Sequence, residues 1–156
     1  MKLYLAGPDV FRPDAARWAA SARALCAAAG HLALVPLEQE AATPAAIYAG
    51  NLRLITEADC VLANLNPFRG AEPDSGTCVE IGYALALGKR VVGYADDLRP
   101  LRDRLQAASG DLGCRDAAGW TVEDFGLPLN LMLAVPLRLA QGGLEAALGL
   151  LAERAV

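Results

Sequence analysis

Glu80 is the residue in this chain whose surroundings suit it least. Between residues 75 and 88 it is the only Asp, Glu, Lys, Arg or His, and its neighbours Cys78, Val79, Ile81, Ala84, Leu85, Ala86 and Leu87 read as a helix that is apolar nearly all round. Burying an ionised, unpaired carboxylate is costly, so either a partner compensates for the lost hydration or the group lines a pocket and does the chemistry open to a carboxylate. The segment before it favours the pocket. Pro67, Gly70, Pro73 and Gly76 punctuate a loop, and Asp74 or Ser75 can cap the helix that follows. Asp74 lies six residues before Glu80, which is not a same-face helical spacing. If the helix starts near Ser75, Asp74 belongs to the loop and can fold over the first turn, leaving a crevice between two carboxylates. Gly76 sits one turn before Glu80, where a missing side chain lets a ligand approach the helix closely.

The elements that must position these groups alternate along the chain. The pattern predicts a strand over 2–6, a GPDVFRP turn, a helix over 14–29 that ends at Gly30, and a strand over 31–35. Thr43 and Pro44 read as the N-cap and first-turn proline of a helix running to about residue 57. A buried strand over 59–65, the Glu80 helix and a strand over 90–94 follow. Beyond them the pattern suggests a helix over 98–107, a Gly- and Asp-rich loop over 109–119, helical spacing over 130–140 interrupted by Pro136, and a terminal helix over 143–153. Strand and helix alternation on this scale predicts an α/β fold with one doubly wound, mainly parallel sheet of Rossmann or flavodoxin-like type, flanked by helices. Ligands bind such sheets at the carboxyl ends of the strands, where the loops after Tyr4, Pro36 and Asn64 converge.

Composition narrows the function classes. A chain of 156 residues with 54% hydrophobic side chains is expected to form a single domain spanning 1–156 with a real core. A net charge of −4 offers no basic footprint for nucleic acid, so a free small molecule fits better than a polymer. The start carries Lys2 but only a brief apolar run before Asp9 and Arg12, unlike a signal peptide, and no apolar stretch is long enough to span a bilayer. A cytoplasmic protein that does not engage membranes is expected. The four cysteines, Cys26, Cys60, Cys78 and Cys114, are widely spaced and read as reduced residues, three of them in apolar helix or strand patterns. With His31 the only histidine and no CxxC pair, no metal site is expected.

The run EPDSGTCVEIGYALALGK, together with the start MKLYLAGPDVF and the late PLNLML, closely resembles the nucleoside 2-deoxyribosyltransferase family. The matched blocks are scattered from Met1 to about Met132. The resemblance implies a cofactor-free enzyme of nucleoside salvage that acts on 2′-deoxyribonucleosides and free nucleobases. It further implies that Glu80 is the nucleophile at C1′ of the sugar. A carboxylate below the ring can stabilise an oxocarbenium-like state and then capture it covalently, and a second base attacking from the original face gives transfer with retention.

The same resemblance distributes further roles, each with a plainer alternative. Asp74 is implied to orient the sugar through its 5′-hydroxyl and to help with proton delivery; as an N-cap alone it would contribute roughly 0.5–2 kcal/mol. Tyr4 is implied to hold Glu80 by a hydrogen bond, or else it is an ordinary strand aromatic. Asn130 is implied to reach the sugar in a neighbouring subunit's site, which makes the active unit a homo-oligomer with shared sites; it also suits a helix N-cap. Asn51 departs from the family, falling where known members carry an aspartate proposed to protonate the leaving base. An amide cannot be a general acid, but it can hydrogen-bond base or sugar. Asp9 and the Leu37-Glu38-Gln39 loop are implied in base recognition. Two rival functions remain: a 2-deoxynucleoside 5-monophosphate N-glycosidase that uses water as acceptor, and a non-catalytic nucleotide-binding module, for which the single glycine of AGPDVF is a poor phosphate cradle.

Overall fold

A computed structural model of the protein describes residues 1–38, 43–110 and 115–153. Five strands, β1 (Lys2–Ala6), β2 (Leu32–Leu34), β3 (Cys60–Asn64), β4 (Arg90–Ala95) and β5 (Arg138–Gln141), form one sheet in the order β2-β1-β3-β4-β5. Every pairing is parallel, with Leu3 opposite Ala33 and Cys60, Val61 opposite Val91, and Val92 opposite Arg138. Parallel strands need crossover connections, and helices supply them here: α1 (Ala15–Ala28), α2 (Pro44–Glu57), α3 (Ser75–Ala86), then α4 (Leu101–Ser109) and the single turn α5 (Leu131–Ala134); α6 (Leu144–Ala152) follows the last strand. The expected doubly wound sheet is therefore present, and all of its strands run the same way.

Side chains that alternate along each strand feed two separate cores. Leu3, Leu5, Cys60, Leu62, Val92 and Tyr94 pack on one face against Ala19, Ala22 and Cys26 of α1 and Leu144, Ala147 and Leu148 of α6. Tyr4, Ala6, Val61, Ala63, Val91 and Ala95 pack on the other against Ile55 of α2 and Ile81 and Ala84 of α3. This alternation sends Tyr4 toward the helix that carries Glu80. Cys26 and Cys60 are free thiols within the core, whereas Cys78, also free, is half-buried; Cys114 lies outside the described residues.

Local signals set most boundaries. Gly30, at φ +78°, ends α1: its N–H bonds to the Ala27 carbonyl and the His31 N–H to that of Cys26, the paired reverse contacts of a left-handed helix cap. Thr43 caps α2 by accepting from the Ala46 N–H at 3.2 Å. At the far end of α2, the Lys89 ammonium, just beyond α3, donates to the carbonyls of Thr56 and Ala58 at 2.8 and 2.6 Å, tying α2 to α3.

Two expectations are corrected. The helix expected over 98–107 begins only at Leu101, because a residue before proline is driven away from helical angles and Pro100 therefore stands as the cap. The helical spacing expected over 130–140 splits into α5 and the fifth strand. Pro136 forbids a continuous helix, and the four-residue edge strand, in which only Ala140 is buried, is too short for alternation to register. No helix among the described residues is long and apolar enough to cross a membrane.

Candidate active site

Strand order turns the chain in opposite directions from β1 and β3, and the resulting crevice at the strands' carboxyl ends holds a cavity of about 380 Å³. Gly7, Val10 and Phe11 reach it from the turn after β1, Pro36 and Leu37 from the turn after β2, and Ile47 and Asn51 from α2. Asp74, Gly76, Thr77 and Glu80 reach it from the start of α3. The loops after β1 and β2 and the approach to α3 thus meet as expected.

Glu80 is held through one oxygen. The Tyr4 hydroxyl donates to Oε1 at 2.6 Å and the Asn51 amide donates to the same atom at 3.2 Å. Among the described residues Oε2 accepts no hydrogen bond. Burial is the main cause that lifts the Glu80 carboxyl from 4.5 to about 7; the charge of Asp74 adds to it, and the bonds from Tyr4 and Asn51 oppose it. Tyr4, with no exposed surface, is driven strongly upward by burial and then by the adjacent Glu80, so its phenol stays protonated and remains a donor.

Asp74 combines both of its expected geometries. Its Oδ2 accepts from the Thr77 N–H at 2.9 Å and the Thr77 hydroxyl at 3.1 Å, which caps α3, and the residue also lines the cavity. Gly76 leaves room for that cap: a Cβ there would sit 3.0 Å from Asp74 Oδ2. Gly7 is required by close approach as well, since a Cβ would come within 2.8 Å of the Asn64 Cβ.

Of the remaining candidates among the described residues only Asn51 shares the cavity. Asn51, expected at base or sugar, bonds to Glu80, and this suggests a test. Asn51→Asp would set a second carboxylate against Oε1, so the pair should share a proton and the pH–rate profile should gain an ionisation above that of the native enzyme. An unchanged profile would show that Asn51 does not govern Glu80. Asp9 does not line this cavity. The short 3-10 turn Pro8–Phe11 sends Val10 and Phe11 toward Glu80 and Asp9 to the opposite face, where the Asn64 amide donates to it at 2.7 Å. Asn130 Oδ1 accepts from the Met132 N–H as the cap of α5, and its amide donates to Glu123 at 2.6 Å; it borders a different cavity, beside Cys78 and Ile81. Gln39 lies outside the described residues.

Phe11 and Ile47 were not anticipated as site residues. Phe11 is 57% exposed and stacks on Phe68 with ring centroids 5.4 Å apart, while the Arg69 guanidinium lies over both rings at 5.3 and 4.7 Å. The available signal was position: an aromatic just past the first strand of a parallel sheet stands where ligands bind.

Comparison with known proteins places this geometry. The family model described as nucleoside 2-deoxyribosyltransferase matches residues 3–132. A solved structure of a 2-desoxiribosyltransferase from Leishmania mexicana is 36% identical, covers 99% of each chain and superposes with a TM-score of 0.85. A conserved protein from Enterococcus faecalis V583, at 22% identity, 91% coverage of each chain and a TM-score of 0.62, shares the fold. An uncharacterized protein of Schizosaccharomyces pombe is 29% identical over 90% of this chain and 78% of its own length. This chain belongs to the nucleoside 2-deoxyribosyltransferase family.

Proposed function

We propose that the protein exchanges the base on a 2′-deoxyribonucleoside by a retaining double displacement. One observation carries the reading: Tyr4 and Asn51 both hold Oε1 of Glu80, leaving Oε2 unbonded at a cavity that Asp74 also lines. Oε2 attacks C1′ as the C1′–N bond to the base breaks, and the departing base takes up a proton from water admitted to the cavity. The resulting deoxyribosyl ester is then opened by a nitrogen of an incoming base, whose N–H proton passes to water as the C1′–O bond breaks and the carboxylate is restored. Phe11 and Ile47 supply apolar walls for a planar base, and Asp74 accepts from the sugar's 5′-hydroxyl. The reading includes a cytoplasmic salvage role and a homo-oligomer in which Asn130 serves a partner's site; Met132 and Val135, 73% and 71% exposed beside Asn130, suit such an interface.

Asp74 also argues against the monophosphate hydrolase. A unit charge there would repel a 5′-phosphate by about 4 kcal/mol at 4 Å and an effective dielectric near 20. Asp74→Asn keeps an acceptor for the helix cap, so the melting temperature should hardly move. It should raise the KM for deoxyribonucleosides by about tenfold, relax the discrimination against monophosphates, and shift the acid limb of the pH profile downward because a charge that lifts Glu80 is gone. If KM, discrimination and pH limb all stay at native values, Asp74 is only a cap.

The activity is tested by incubating the protein with deoxyinosine or thymidine and a panel of free bases, then separating the products. New deoxyribonucleosides of retained configuration are expected. Free deoxyribose without exchange would establish the hydrolase, and a preference for monophosphates would overturn the proposed substrate.

A further inference from the structure

On the opposite face of the sheet from Glu80, α1, α6 and the carboxyl ends of β3 and β4 border a second, half-open cavity of about 270 Å³. Tyr94 lines it and is 5% exposed, yet among the described residues its hydroxyl has no hydrogen-bond partner. The oxygen is not among the sealed-off polar atoms of the structure, so it opens onto the cavity and any partner for it must come from that side.

The groups around that hydroxyl are acidic. Asp9, itself 5% exposed, is fixed by a relay: the Asp96 N–H donates to Asn66 Oδ1 at 3.0 Å, the Asn66 amide donates to Asn64 Oδ1 at 3.0 Å, and the Asn64 amide donates to Asp9 Oδ2 at 2.7 Å. These amides are committed, so the relay orients the carboxylate without neutralising it. Arg12 Nη1 forms an ion pair with Asp9 Oδ1 at a long 3.7 Å while its Nε donates to Asp14 at 3.0 Å; at 47% exposure the guanidinium compensates Asp9 only in part. Glu145, exposed at the cavity's rim in the first turn of α6, makes no side-chain hydrogen bond or ion pair among the described residues. Burial, and then the charges of Asp9, Cys26, Glu145 and Asp96, push the Tyr94 phenol upward, so it stays neutral. The half-buried indole of Trp18 completes one wall.

We propose that this cavity is a second ligand site, separate from the Glu80 cavity, for a small organic cation of the ammonium or guanidinium class. Its N–H groups would donate to Asp9, Glu145 and the Tyr94 oxygen, and its charge would be balanced by the two carboxylates beside an aromatic wall.

The test uses the whole protein and two probes of one shape, methylguanidinium and neutral N-methylurea, followed by amide chemical shifts. Methylguanidinium should give saturable shifts centred on Ser21, Tyr94 and Leu144, and N-methylurea should give none. Tyr94→Phe should fold with a melting temperature no lower than native, having no protein partner to lose, and should weaken methylguanidinium binding several-fold. Glu145→Gln should weaken it by about tenfold. The proposal is overturned if the shifts grow linearly without saturating, if N-methylurea binds as well, if neither substitution weakens binding, or if the shifts centre on the Glu80 cavity. It is equally overturned if Tyr94→Phe melts well below native, because the hydroxyl would then have a structural partner.

Discussion

Glu80→Gln is expected to lower kcat/KM for base exchange by roughly 10⁴-fold or more while making the folded protein more stable above neutral pH. Both effects have one cause. Glutamine keeps the shape and the acceptor for Tyr4 and Asn51, but it cannot form an ester with C1′. It also carries no charge to bury. Because the folded-state value of about 7 lies above the ordinary 4.5, the native chain binds this proton more tightly than the unfolded chain does. Stability is therefore fully retained below about 4.5 and declines as pH rises through 7. The gap corresponds to about 3 kcal/mol at full strength, and solvent reaching the cavity reduces this to about 1–2 kcal/mol. Melting curves of native and Glu80→Gln protein should nearly coincide at the acid end and separate as pH approaches 8, with the variant higher. Curves that stay parallel across that range, or a variant that still exchanges bases, would remove Glu80 from the role of a buried nucleophile.

Tyr4→Phe carries the second large effect. The ring is fully buried between β1 and the helices α2 and α3, so phenylalanine fills the same space and only the hydroxyl is lost. That hydroxyl makes the shorter of the two bonds holding Glu80 Oε1, 2.6 Å against 3.2 Å from Asn51. A hydrogen bond to a charged group is worth about 1.5–3 kcal/mol, so the ionised carboxylate should lose about that much support. The acid limb of the pH–rate profile should move upward by about one pH unit or more, and kcat/KM at pH 7 should fall about 10- to 100-fold, with partial recovery in alkali. A purely structural aromatic would change the melting temperature without moving the limb, so the two measurements together decide the role.

Much of the arrangement is legible in the amino-acid sequence. Glu80 stood out because a charge among apolar neighbours on a helix is expensive, and Asp74 because it precedes that helix in a loop punctuated by proline and glycine. The first four strands and the helices between them followed from alternation, Gly30 and Thr43. What escaped was short or at an edge. The strand β5 spans only Arg138–Gln141 and draws its stability from pairing with β4 rather than from its own pattern. Phe11 carries no local mark of a cavity wall, because its environment is made by Phe68 and Arg69, far along the chain.

Periodicity and the cost of burying charge are local quantities, so the chain by itself determined an α/β fold, a carboxylate that had to be used or compensated, and a capped helix to present it. Which oxygen of Glu80 is held, and that Asn51 joins Tyr4 in holding it, was decided only when residues 4, 51 and 80 met across three elements, since a hydrogen bond depends on distances that spacing along a chain does not encode. The same holds for Asp9. One short turn after β1 divides its side chains between the two faces of the sheet, and only the folded backbone settles that Val10 and Phe11 meet Glu80 while Asp9 joins Tyr94 on the far side.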